Sequence, residues 1–304
     1  MITPAFDADL LLVVPLWQGG GHPGVADGAT ALADLVDPSG DHMLVDAPAR
    51  PAQAPDPTNT AVSEPDAHGA VVALHAVSEH LHLTAAALRE KNPQRLLLLG
   101  GDCSTDIPAV SHLHRQHPDL HVAWVDAHAD LNTPQTSPSG RAHGMPLRTL
   151  LGEGHPDLLP GSPTDATSNH APHPQLHPSR CLLVGTHDLD DAEADYIRDH
   201  DLQLLSPQRL RELNDLQQRV ERWLPGGAPL HIHLDLDVLD PQAFPAVACP
   251  TPNGLSVAEL IDVLTVLRQR GDLVGVTITE HVPALPHSAE VLPAVLDALG
   301  ITHR

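Results

Sequence analysis

The sequence predicts an α/β fold: a parallel sheet of about eight strands with helices on both faces. Three observations carry that expectation. Short runs rich in Val, Leu and Ile alternate with longer stretches of helical apolar spacing. Such alternation belongs to parallel sheets, whose strands are joined by crossover helices and buried on both faces. Several of the apolar runs also end in Asp and His, at the sheet edge where α/β proteins bind ligands.

Strands are expected at 10–14, 42–45, 96–99, 122–125, 181–184, 202–205, 231–234 and 273–278, each a compact β-branched or Leu-rich run. Between them, 70–90, 206–224 and 256–269 have the spacing of amphipathic helices, and a last helix is expected at 289–299. A helix should also follow the Gly100-Gly101-Asp102-Cys103-Ser104 turn after the third strand. Two stretches break the rhythm: 46–65 carries five prolines and 153–179 carries six. Proline fits neither a helix interior nor a central strand, so both are expected as surface loops within a single domain spanning 1–304.

Composition excludes several classes of function. Lys plus Arg total 16 against 39 Asp plus Glu, a formal net charge of −23, which argues against nucleic acid or an anionic membrane as partner. No apolar stretch is long enough to span a bilayer, and the N-terminus has no secretory signal pattern. Cys103, Cys181 and Cys249 lack paired spacing and read as free thiols of a cytoplasmic protein. The chain holds 23 histidines, so His80/His82, His112/His114 and His231/His233 are discounted as chance spacings, and His155-Pro156 and His177-Pro178 are expected in solvent.

Two clusters survive that discount. Asp126-Ala-His128-Ala-Asp130 follows one strand, and Asp235-Leu-Asp237 ends another. In an extended chain, alternate residues share a side, so each cluster is expected to converge on one spot. Four crowded carboxylates repel unless cations lie between them, and this many ligands suggests two divalent ions.

These residues bring a family into view. Gly-Gly-Asp-Cys-Ser at 100–104, Asp126-Ala-His-Ala-Asp130, His143-Gly144, Asp235-Leu-Asp-Val-Leu-Asp-Pro241 and Glu280 resemble, in order and spacing, the ureohydrolases, the superfamily of arginases and agmatinases. Gly21–Gly28 resembles the family's glycine-rich first loop. The resemblance implies a three-layer αβα arginase-like fold. It implies two metal ions, expected to be manganese, held by Cys103, Asp126, His128, Asp130, Asp235 and Asp237 and bridged by Asp126 and Asp235. Water bound there would become acidic enough to attack a guanidinium carbon. Asp130 would accept a proton, His143 would shuttle one to the departing amine, and Glu280 would pair with the guanidinium.

The segment 130–144 resembles the arginase branch. Asn132 and Ser139 would hold a substrate α-carboxylate, Asp190 and Glu193 the α-amino group, and Arg141 and Thr251 complete the expected substrate set. Turn chemistry alone also accounts for Asn132 and Ser139. The implied substrate is arginine or a close relative, cleaved to urea and an amine, which places the chain in arginine metabolism. A homo-oligomer stays open, without the carboxyl-terminal tail that joins some relatives into trimers.

Three departures from the family matter. Cys103 stands where the family has a metal-binding histidine: a thiolate favours a softer metal, a neutral thiol is a weak ligand, and the first site is expected weakened rather than lost. Arg141 replaces a smaller polar residue and would clamp a carboxylate or pair with Asp190 or Glu193; Val282 replaces an Asn. Two alternatives follow: hydrolysis of another amidino compound (a guanidino acid, agmatine or a formimino amino acid), or a metal-poor binding protein without turnover.

Overall fold

The computed structural model of the protein describes residues 5–37, 40–45, 70–159, 176–212 and 215–304. The expected loop at 46–65 lies outside them, as does most of the one at 153–179. Eight strands form one sheet: β1 (Leu10–Val14), β2 (Asp41–Leu44), β3 (Leu96–Gly100), β4 (His121–Val125), β5 (Cys181–Val184), β6 (Gln203–Leu205), β7 (Pro229–Asp235) and β8 (Asp272–Thr279). All neighbours run parallel, in the order β2-β1-β3-β8-β7-β4-β5-β6. This is the fold class the apolar runs predict.

The described helices are α1 (Gly24–Leu35), α2 (Leu74–Lys91), α3 (Asp106–Gln116), α4 (Pro146–Leu150), α5 (Asp191–Asp199), α6 (Pro207–Glu212), α7 (Leu216–Trp223), α8 (Val257–Arg270) and α9 (Val291–Leu299). They cover both faces of the sheet. Leu11, Ala123 and Val125 point into a core shared with α1, α7, α8 and α9, where Leu32, Trp223, Leu264 and Leu296 sit. Their strand neighbours Leu10, Leu12, Val122 and Trp124 point into a second core under α2, α3 and α4, with Leu81, Val110 and Leu147. The period of two along each strand thus builds three layers. No helix among the described residues is long and apolar enough to cross a membrane.

Some helix expectations need correction. The single helix expected at 206–224 is two, because Asp215 caps α7 by accepting a hydrogen bond from Gln218 N at 2.8 Å. The helix expected from 70 begins only at Leu74, after Ala73 in the left-handed region (φ 54°). Glycines at 24 and 28 hid α1, since glycine is a poor helix former. Gly28 is there for space: a Cβ would run into the carbonyl of His281. His155, expected in solvent, is 1% exposed, its Nδ1 accepting from Asp157 N.

Candidate metal centre and substrate cleft

Four adjacent strands, β3, β8, β7 and β4, deliver polar residues to one edge of the sheet. Cys103 follows β3, Asp126 follows β4, Asp235 ends β7 and Glu280 follows β8. Strand alternation is not what gathers each cluster, because the chain has already left the extended state. Asp126 Oδ1 instead accepts from His128 N at 2.7 Å, and Asp235 Oδ1 accepts from Asp237 N at 2.7 Å. Each Asp closes a turn on its own backbone and so presents the next ligand beside it. Asp130 and Glu280 both hold positive φ, 54° and 66°, a sparsely populated region for non-glycine residues.

Among the described residues, three groups offer donor atoms within 4.8 Å of one another: Cys103, Asp126, Asp130 and His233; Cys103, Asp235 and Glu280; and Asp126, His128 and Asp237. All six metal ligands expected from sequence fall in these groups. Asp126 belongs to two of them, whereas Asp235 groups with Cys103 and Glu280. The sequence discount hid His233, which is fully buried.

The electrostatics are those of a site built for cations. Burial, then the charge of Asp126, pushes the carboxyls of Asp130 and Asp237 up, and burial with Asp237 and Asp126 does the same to Asp235. Asp126 is held down despite burial, by His128 and His233. Burial opposes a charge on His128, but Asp237 at 3.2 Å and Asp126 at 3.4 Å raise it strongly. Burial, then the surrounding carboxylates, pushes the Cys103 thiol well up, and it donates to Asp235 Oδ2 at 3.0 Å. Asp130 Oδ2 is buried with no hydrogen-bond partner among the described residues. Oxygen, nitrogen and sulfur donors with unpaired lone pairs in one buried spot fit divalent metal ions.

Above these groups lies a cleft of about 180 Å³. Cys103, His128, Asp130, Asn132, Ser139, His143, Asp190, Glu193, Asp235 and Asp237 line it, together with Cys249. Asp126 and Glu280 sit beneath, at 0% and 2% exposure. Glu280 Oε1 is 3.7 Å from His143 Nδ1, and this carboxylate, with Asp102, raises the imidazole although burial opposes it. Asp102, missed from sequence although it lies inside the quoted glycine motif, is fully buried; desolvation, then Glu280, pushes it up to about 6.

The expected substrate residues divide. Asn132 Nδ2 donates to Asp190 Oδ2 at 2.8 Å, and Asn132 Oδ1 accepts from Thr136 Oγ1 at 2.8 Å. Glu193 accepts from Leu131 N and Asp190 N, anchoring the 130s loop to the start of α5. Ser139 is exposed, and its hydroxyl accepts from Arg141 N. The Arg141 guanidinium packs over Gly21, whose φ is 81°, and among the described residues it pairs with neither Asp190 nor Glu193. Thr251 stays outside the cleft, its hydroxyl donating to Cys249 O at 3.2 Å.

Comparison with known proteins decides the family. The model of the arginase family matches residues 11–296. This chain belongs to the arginase family. It is 33% identical to an arginase of Staphylococcus aureus over 231 residues, 74% of this chain and 72% of that protein. The solved arginase of Bacillus caldovelox superposes with a TM-score of 0.77 at 27% identity, covering 96% of this chain and 97% of that one. The Entamoeba histolytica arginase solved with L-ornithine superposes with a TM-score of 0.79 at 20% identity, over 98% and 99% of the two chains, and shares the fold. As a member of the arginase family the protein is a hydrolase acting on amidine C–N bonds.

Proposed function

We propose that this protein is a dinuclear-metal hydrolase that releases urea from arginine or a close relative, leaving ornithine in the case of arginine. The observation that carries the reading is the meeting of Cys103, Asp126, His128, Asp130, Asp235 and Asp237 at one sheet edge, under a cleft lined by Asn132, Asp190 and Glu193. Two divalent ions held by those six side chains, with manganese the first to test, would supply Lewis-acid polarisation and an acidified water. The protein supplies the rest. Glu280, tied by its backbone N–H to Gly101 O at 2.8 Å, offers a fixed carboxylate to a guanidinium. Asp130 Oδ2, buried and unpartnered, can take and hold a proton. His143, whose proton Glu280 and Asp102 favour, can give one to the departing amine.

The net charge of −23 and the free thiols support a cytoplasmic enzyme with no nucleic-acid or membrane partner. One observation favours a second reading, a guanidino acid or other amidino substrate. Arg141 brings a guanidinium that forms no ion pair among the described residues to the glycine-rich segment at Gly21, while Asn132 and Glu193 already spend their side chains on the loop. Urea release measured with arginine, agmatine and guanidino acids, on manganese-loaded and metal-stripped protein, separates the readings. Metal-dependent turnover of arginine is expected. Turnover of another compound alone moves the substrate, and no urea from any of them sinks the urea-releasing reading.

A further inference from the structure

His233 lies inside β7, fully buried, its ring stacked on Trp124 with centroids 3.6 Å apart and planes 10° from parallel. Its Nδ1 is 2.9 Å from Asp106 Oδ2. A carboxylate can only accept, so Nδ1 carries the proton and, in the neutral ring, Nε2 keeps a lone pair. Asp106 is itself fixed from three sides, by His231 Nε2 at 2.9 Å, His233 and the Thr277 hydroxyl at 2.7 Å. The ring therefore has one orientation and one tautomer.

Nε2 faces Asp126 without reaching it. It has no hydrogen-bond partner among the described residues, and the nearest carboxylate oxygen, Asp126 Oδ2, is 3.8 Å away, beyond hydrogen-bond length. Burying a polar atom unpaired is costly. Around it stand Cys103 Sγ and oxygens of Asp126 and Asp130, the four donor atoms all within 4.8 Å of one another and all four residues buried. That span matches opposite sides of a sphere whose metal–ligand bonds are about 2.0–2.3 Å. Asp130 Oδ2, in the same group, is also unpartnered.

We propose that His233 is a metal ligand through Nε2, completing the first metal site with Cys103, Asp126 and Asp130, while Asp106 acts as the carboxylate that orients it. The inference rests on the dinuclear reading above. A carboxylate on the far nitrogen of a ligating imidazole is the usual support for such a ligand. One imidazole and one sulfur make this site softer than the Asp126–His128–Asp237 group, whose donors are two carboxylates and one imidazole. The two sites should therefore rank metals differently, the first favouring zinc or cobalt over manganese.

The test is metal binding by the full chain, stripped and then titrated with zinc and, separately, cobalt, alongside His233→Asn. Asparagine keeps an N–H for Asp106 and removes Nε2. Wild-type protein should take up two ions. His233→Asn should keep one and bind the other about a hundredfold or more weaker, with an unchanged circular dichroism spectrum when stripped. Two ions at unchanged affinity in His233→Asn would overturn the inference and leave the dinuclear reading standing. No ion bound by wild-type protein would overturn both. X-ray absorption on zinc-loaded wild-type protein needs no variant: two imidazoles and one sulfur shared between two ions are expected, and a single imidazole excludes His233.

Discussion

Two histidine–carboxylate clusters adjoin in this protein and are treated in opposite ways. Around Asp106 the charge is balanced inside the chain: His231, His233 and Thr277 hydrogen-bond its two oxygens and, against the penalty of burial, hold the carboxyl well below its usual range. Around Asp126 the demands are left open. Asp130, Asp235 and Asp237 are pushed up by burial and by neighbouring carboxylates, Asp126 above all for Asp130 and Asp237, and Asp130 Oδ2 has no partner among the described residues. A buried charge that the protein neutralises itself is structural; one that it leaves unbalanced is set aside for something that arrives from outside. His233 belongs to both, with one nitrogen on each side of the divide.

Substitutions should separate the clusters cleanly. Asp130→Asn is expected to lower metal-dependent urea release by about three orders of magnitude or more, yet to raise the unfolding midpoint of metal-stripped protein at pH 7, because it removes a buried acid that ionises once the chain unfolds. A lower midpoint would break the contrast. Asp106→Ala should do the reverse in the stripped protein, losing about 3–5 kcal/mol in chemical denaturation because two buried imidazoles lose their partner.

The pH dependence sharpens the same contrast. Asp102, at about 6 in the fold against an ordinary 3.8, binds its proton more tightly folded than unfolded. Its ionisation therefore destabilises stripped protein by roughly 3 kcal/mol at neutral pH, and that loss is recovered as pH falls from above 6 toward 4. His143 and His233, both raised, act in the same direction: their contribution is full below about 6.5 and fades as pH rises through their folded values. These three groups should thus add stability to stripped protein from pH 8 to pH 5.5, against His80, His112, His121 and His281, which burial holds low and which work the other way. Metal-loaded protein should lose it, since protons compete with the ions for the same ligands. Parallel melting curves in the two forms would contradict the assignment. The smallest effect is expected at the mouth of the cleft, where Arg141→Gln should shift the ratio of guanidino-acid to arginine turnover by about tenfold, or 1.4 kcal/mol, read as kcat/KM.

The sheet was legible because strands buried on both faces must be apolar throughout, so each run announces itself, from 10–14 to 273–278. The helices were less so. Gly28 disguises α1 for the sake of a close contact, and Asp215 divides a pattern that reads as continuous. At the site, Asp126, His128, Asp130, Asp235 and Asp237 were legible because acidic residues directly after apolar runs have no packing reason to be there. The device that gathers them was not, since turns closed by Asp126 and Asp235 mimic strand spacing. His233 stayed hidden for a different reason: inside a strand of a His-rich chain it looks like composition, and what sets it apart is that its unpaired nitrogen lies among donor atoms of Cys103, Asp126 and Asp130. Asp106 reads as an ordinary acid in the first turn of α3, and nothing local says that it faces β7.

The sheet order has a consequence for synthesis. A nascent chain that has emerged as far as residue 228 holds β2-β1-β3 and β4-β5-β6, two half-sheets whose inner edges, β3 and β4, have no strand between them. Only the last quarter of the chain brings β7 and β8 to fill that gap, and with them Asp235, Asp237 and Glu280. Until then Cys103 and Asp126 cannot share an ion in the native geometry, and two apolar edges stand open to pairing with other chains. The candidate metal site is thus the seam at which the two halves of the sheet are closed, and ribosome-bound fragments ending before 229 should depend on chaperones far more than the chain of 304 residues.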